Sequence, residues 1–247
     1  MVKLYDLSQP WSQNSIAWPG YPSAVIKWLK RFPENNIYAQ FIETPLHFGT
    51  HLDAPLHAQW GGKDVASIPL EQLYGTGVVV DVSEVGRYGI IKPHHITDKI
   101  EVKEGDILVY HTGYYKYAET DEHEYCFRHP GPDEEFLEWA LKMKIKWIGV
   151  DCASADHPMN TFYIPFARKD MVEEFEKHIG KTLEDIFPRK RCHPMHYKAF
   201  PKGLIHVENM GGDIAKILNR RVTLGCFPWR FVGGEAAFCR CVAFVDE

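Results

Sequence analysis

A chain of 247 residues with 45% apolar side chains is long enough to bury a full core, as one domain or two small ones. Its net charge of −5, with Lys and Arg scattered, offers nucleic acid no basic footprint. The longest apolar runs, such as Gly77-Val78-Val79-Val80, are strand-sized and too short to cross a membrane.

Met1–Asp6 lacks the apolar core of a secretory signal and reads as the start of the fold. Residues 3–8 read as its first strand, followed by a loop rich in Trp and Pro from Trp11 to Pro22. Residues 25–29 and 37–42 look like paired strands with Pro33-Glu34-Asn35-Asn36 in the turn. The second of these feeds directly into the most informative stretch of the chain.

That stretch is His47-Phe48-Gly49-Thr50-His51-Leu52-Asp53-Ala54-Pro55-Leu56-His57. Its four metal-competent side chains sit at offsets 0, 4, 6 and 10, all even. In extended chain they share one face, while Phe48, Leu52, Ala54 and Leu56 take the other. Pro45 and Pro55 argue against a continuous helix. A straight strand would hold ligands four residues apart at roughly 13 Å. A metal needs them at about 2.0–2.2 Å, so the chain must bend, and Gly49-Thr50 is where it can. Imidazole with carboxylate suits Zn, Mn, Fe or Ni, and no cysteine is near enough for a thiolate-rich structural zinc.

Beyond it, residues 69–74 read as a short helical turn and 77–82 as a buried strand. Residues 105–113 form another strand, and 132–143 a helix with Asp133, Glu134 and Glu135 where the helix dipole favours negative charge. Residues 147–151 are a buried strand leaving through the polar turn Cys152-Ala153-Ser154-Ala155-Asp156-His157-Pro158. A helix is expected at 170–178 and another at 182–186. Residues 203–209 form a strand in which His206 and Glu208 face away from Ile205 and Val207. A short helix at 213–218 and strands at 222–226 and 238–245 close the chain, giving an α/β or α+β class. Cysteines 126, 152, 192, 226, 239 and 241 show no small-scaffold spacing; Cys239 and Cys241 share a strand face. They read as reduced core residues of a cytoplasmic protein.

The pattern His-x-Gly-Thr-His-x-Asp-x-Pro-x-His at residues 47–57 resembles the signature of the cyclase family of metal-dependent hydrolases, which includes bacterial kynurenine formamidase and isatin hydrolase. The resemblance implies a swivelling β/β/α architecture, a barrel-like mixed sheet with flanking helices, over one domain spanning residues 1–247. Residues 159–192 are longer than the matching part of kynurenine formamidase and read as an insertion that caps the pocket or builds a subunit contact. The family's Val/Leu-Glu-Asn at a strand end makes Glu208 a ligand, with a histidine twelve residues earlier, which here is His196. His193 and His206 remain alternatives. One divalent ion, Mn or Zn, is then expected on His47, His51 and Asp53, and a second on Asp53, His196 and Glu208, although some members bind only one.

The resemblance also makes His57 the general acid/base and Trp18 an aromatic cover for the substrate, with Phe48 or Tyr114 beside it. It implies a small aromatic or cyclic amide substrate and a homodimer or homotetramer. A divalent cation brings the pKa of water from about 15.7 toward 7, so such hydrolysis needs no protein nucleophile. Rival readings are a lactone hydrolase on the same site, a cysteine hydrolase using Cys152 with Ser154, Asp156 and His157 nearby, and a non-catalytic binding protein.

Overall fold

The computed structural model describes residues 1–246, Arg191 by its backbone alone. Its strands are β1 (Val2–Asp6), β2 (Val25–Lys30), β3 (Ala39–Glu43), β4 (His51–Asp53), β5 (Tyr74–Asp81) and β6 (Ile90–Ile91). They continue with β7 (Ile107–His111), β8 (Gly131–Pro132), β9 (Trp147–Val150), β10 (Ile205–Glu208), β11 (Arg220–Pro228) and β12 (Ala236–Asp246).

Strands β5, β7, β9 and β10 lie parallel in that order and are buried on both faces, β10 carrying His206 and Glu208 on the face opposite Ile205 and Val207. Such strands need a core on either side, and alternation sends successive residues to different ones. Val79, Val109, Trp147 and Val207 enter an inner core with Leu52, Leu224 and Ala243. Val78, Val80, Leu108, Tyr110, Ile148 and Val150 enter an outer core with Phe136, Leu137 and Ala140. Those last three come from the helix Glu134–Lys142, whose N-cap Asp133 accepts from the Phe136 amide.

The sheet closes on itself. Its order runs β12-β11-β5-β7-β9-β10-β4, and β4 pairs back onto β12, giving a mixed barrel of seven strands. β1 lies along β12 beyond the ring. β4 is the closing element: only three residues long, it is clasped between β10 and β12, both antiparallel to it. A third core assembles Tyr88, Tyr125 and Phe127 with Met159, Phe175 and Phe187 of residues 159–192. That segment carries helices at Lys169–Ile179 and Leu183–Ile186, the latter started by a capping box between Thr182 and Asp185.

Two expected elements differ. The helical turn at 69–74 ends at Leu73, because Tyr74 already pairs with Gly225 of β11. The helix at 213–218 shrinks to a 3-10 turn, Ile214–Lys216. Strands β2 and β3 form a separate two-stranded sheet, with the short helix Phe32–Asn35 in their turn. Among the described residues no helix is long and apolar enough to cross a membrane.

Two histidines outside the site are fully buried. Burial lowers His129 to about 4 and His157 to about 3, despite acceptors at Pro130 and Tyr88. Both stay neutral in the fold but take up protons near pH 6.5 when unfolded, so stability is present above that pH and lost as pH falls toward 4. Each such group steepens the fall by up to about 1.4 kcal/mol per pH unit. We predict that urea midpoints drop from pH 7 to 5, and that His129→Gln flattens the slope by close to one proton. An unchanged slope in the variant would contradict this.

Candidate metal centre

The chain reaches the barrel through a turn at Gly49, whose φ of 62° suits glycine and whose Cβ, if present, would stand 3.1 Å from the Trp11 ring. Alternation along β4 then puts Leu52 in the inner core and turns His51 and Asp53 the other way. Strand register supplies the partners: His206 lies opposite Asp53, and Glu208 opposite His51. Residues some 150 positions apart thus share one face. After Asp53 a 3-10 turn, Pro55–His57, curls His57 back over the same spot.

The imidazoles are pinned from behind. His51 Nδ1 lies 2.8 Å from the Gly49 carbonyl, and His47 Nε2 lies 2.6 Å from Glu235 Oε2. His196 Nδ1 lies 2.7 Å from Asp156 Oδ2. A carbonyl or carboxylate only accepts, so each of these ring nitrogens is the donor. The inner nitrogens are therefore left with lone pairs. They converge: His47 Nδ1 and His51 Nε2 are 3.1 Å apart, and stand 3.0 Å and 3.2 Å from Asp53 Oδ1. Asp53 is wholly buried, and its Oδ1 accepts no hydrogen bond.

Bare lone pairs facing a buried carboxylate oxygen repel, unless a cation lies between them. Ligands about 2.0–2.2 Å from a common ion stand roughly 3.0–3.5 Å apart, so the triangle fits one. Protons take the same role otherwise. Burial works against charge at His47, but Asp53 and Glu235 raise its pKa well above 6.5. Asp53 is held well below the usual carboxylate range, its burial outweighed by His47 and His51.

A second set gathers on the other oxygen. Asp53 Oδ2 is 3.0 Å from His206 Nε2 and 3.7 Å from His196 Nε2. Glu208 completes it, with Oε1 accepting from the Ala155 amide at 2.7 Å and Oε2 3.7 Å from His51 Nε2. Burial opposes charge at His196, yet Asp156 and Asp53 lift it to about 10. His193 stands apart from Asp53: its Nδ1 accepts from the Phe162 amide at 3.1 Å, and burial lowers it to about 4. The geometry groups both His196 and His206 with Asp53 and Glu208.

His57 is joined by a residue that the sequence did not single out. Its Nδ1 lies 2.8 Å from Glu235 Oε2, the same oxygen that holds His47, and the two rings are 4.1 Å apart. Glu235 is drawn down to about 2, its burial outweighed by the two imidazoles. A carboxylate within Gly233-Gly234-Glu235-Ala236-Ala237, just ahead of β12, was the available signal.

These groups open onto a cavity of ≈ 200 Å³ whose wall includes Trp18, Tyr21, Tyr163 and Tyr197. Trp18 is thus on the wall, and Tyr163 comes from residues 159–192. Two expected wall residues are not there. Phe48 is fully buried on the core side of its stretch, edge-on to Trp11 at 5.5 Å. Tyr114 is buried against Tyr117, at 5.5 Å, in the outer core. The cysteine alternative fails too. Cys152 is fully buried, burial pushes its thiol up, and it donates to the Ser154 carbonyl at 3.3 Å. The nearby His157 spends both nitrogens on the Tyr88 carbonyl and the Met159 amide, so it is not available to the sulfur as a base.

Known proteins share this fold. A kynurenine formamidase of Salinibacter ruber is 23% identical over 254 residues, covering 98% of this chain and 97% of that protein. In fold, isatin hydrolase A from Ralstonia solanacearum superposes with a TM-score of 0.77 at 17% identity, covering 99% of this chain and 92% of that one. A potential metal-dependent hydrolase with cyclase activity superposes with a TM-score of 0.70 at 21% identity over the whole of both chains. The family model described as "Putative cyclase" matches residues 5–157, which takes in β4, the His57 turn and the strand leading to Asp156. The chain belongs to the cyclase family.

Proposed function

We propose that this chain hydrolyses the C–N bond of a small aromatic or cyclic amide, with a divalent cation held at His47 Nδ1, His51 Nε2 and Asp53 Oδ1. The observation that carries the reading is the orphaned Asp53 Oδ1, buried and faced by two imidazoles pinned from behind. Zinc and manganese both suit imidazole with carboxylate. When bound, the cation lowers the pKa of water from about 15.7 toward 7 and polarises a carbonyl oxygen. The second set, Asp53 Oδ2, His196 and Glu208 with His206 beside them, is the place for a second ion.

The protein's own groups handle the proton. With Nδ1–H fixed on Glu235, His57 presents Nε2 toward the cavity, free to take the proton of water and pass it to the leaving nitrogen. Glu235 holds the required tautomer and steadies the imidazolium that forms. Trp18, Tyr21, Tyr163 and Tyr197 make walls for a flat acyl or anilide group. The names of the relatives, kynurenine formamidase and isatin hydrolase, support this substrate class.

We read residues 1–247 as one such domain, with 159–192 as the insertion that supplies Tyr163 and much of the third core. A cytoplasmic setting accords with six free thiols. A homodimer or homotetramer is supported by the β2–β3 hairpin, which exposes Trp28, Leu29, Tyr38, Phe41 and Ile42. A two-stranded hairpin is marginal alone in water and gains from being covered.

Assays on formylated anilines, isatin, cyclic imides and lactones, with Zn, Mn or Co, test the reading. Amide turnover should vanish on chelation, return with metal and survive iodoacetamide; activity that survives chelation but not alkylation would overturn it. His57→Ala should cut turnover by about 10²–10⁴-fold with metal retained. Glu235→Gln should cost about 10–100-fold, the range for partners behind a working histidine; wild-type rates in either variant would remove that residue from the mechanism. Light scattering should give two or four chain masses, and Trp28→Asp with Phe41→Asp should reduce the mass to one. A monomeric wild-type chain would contradict the assembly.

A further inference from the structure

Three of the six cysteines meet in one place, away from the hydrolase centre. Cys226 of β11 lies directly opposite Cys241 of β12 in the strand register, and Cys239 is two residues along β12 on the same face. The Cys239 and Cys241 sulfurs are 3.7 Å apart, and all three lie within 4.8 Å of one another. Three thiolates about 2.3 Å from a common ion stand roughly 3.8–4 Å apart, so little movement separates this trio from a coordinating one.

From this geometry we propose that Cys226, Cys239 and Cys241 form a three-sulfur site for a soft monovalent cation, of which Cu(I) is the natural case. Sulfur ligands select soft ions. Structural zinc takes four ligands, and among the described residues no His, Asp or Glu joins this cluster as a fourth. The surroundings, Leu224, Ala237 and Ala243 among them, belong to the inner core, and the ligand sulfurs release their protons as the ion enters.

Cys226 and Cys241 are fully buried, while Cys239 is half-buried and borders a surface cleft of ≈ 500 Å³ with Trp11, Phe238 and Arg240. The cluster also sits at a junction, since the Cys239 amide donates to the Thr50 carbonyl, one residue before the ligand-bearing β4. An ion there ties β11 and β12 together beside the strand that closes the barrel.

The test uses the full reduced chain without oxygen, titrated with Cu(I) against a chromophoric Cu(I) chelator. The expected result is one Cu(I) withheld per chain, a sulfur-to-copper charge-transfer band in the near ultraviolet, and a raised melting temperature. Cys239→Ser, at the half-buried position where folding is least at risk, should abolish all three. Cys152→Ser and His51→Ala should retain the band, which separates this site from the hydrolase centre. No copper withheld by the wild type, or a band that survives Cys239→Ser in a folded chain, or one lost in His51→Ala, would overturn the proposal.

Discussion

The structure depends on one fully buried carboxylate. Asp53 sits in the strand that closes the barrel, where water cannot solvate its charge, and one of its oxygens accepts no hydrogen bond. The imidazoles around it are not free to turn and satisfy it. Gly49, Glu235 and Asp156 each hold the outer nitrogen of one ring, and so aim the inner lone pair of His47, His51 and His196 at Asp53. Left to itself, this arrangement must draw in positive charge. Protons do so by raising His47 and His196, and a divalent ion does so with better geometry.

The barrel makes this possible by bringing distant segments into register. β4 has two neighbours, and each delivers part of the site: β10 brings His206 and Glu208, and the approach to β12 brings Glu235. Because side chains alternate along a strand, the same register that seats Leu52 and Val207 in the inner core turns His51 and Glu208 toward the cavity, with Asp53 beneath them. Packing and chemistry are thus two faces of the same three residues of backbone. A slip of one position would bury the carboxylates in hydrocarbon and expose the leucine.

Much of the site was legible in the sequence where it follows from local periodicity. The even offsets predict a common face and a bend at Gly49; the bend is present and His51 and Asp53 share a face of β4, while His57 arrives by the 3-10 turn Pro55–His57 rather than by alternation. The facing of His206 and Glu208 away from Val207 follows from the same alternation. What periodicity does not carry is which distant groups arrive. Glu235 stands 178 residues from the histidine it holds, and only the pairing of β12 with β4 brings them together. His193 caps the turn Pro194–Tyr197, His196 lies within it, and His206 follows on β10 after a second turn, Phe200–Lys202; no residue pattern says which of the three faces Asp53. An aromatic near a motif is as fit for a core as for a pocket wall, and here Phe48 and Tyr114 both go to the core.

The central claim is that a cation belongs between His47, His51 and Asp53. A crystal of the protein grown with manganese, with anomalous scattering recorded, tests it most directly. The account predicts a peak about 2.0–2.2 Å from His47 Nδ1, His51 Nε2 and Asp53 Oδ1. A map with no peak there, and with those rings turned to bond one another or water instead, would contradict it.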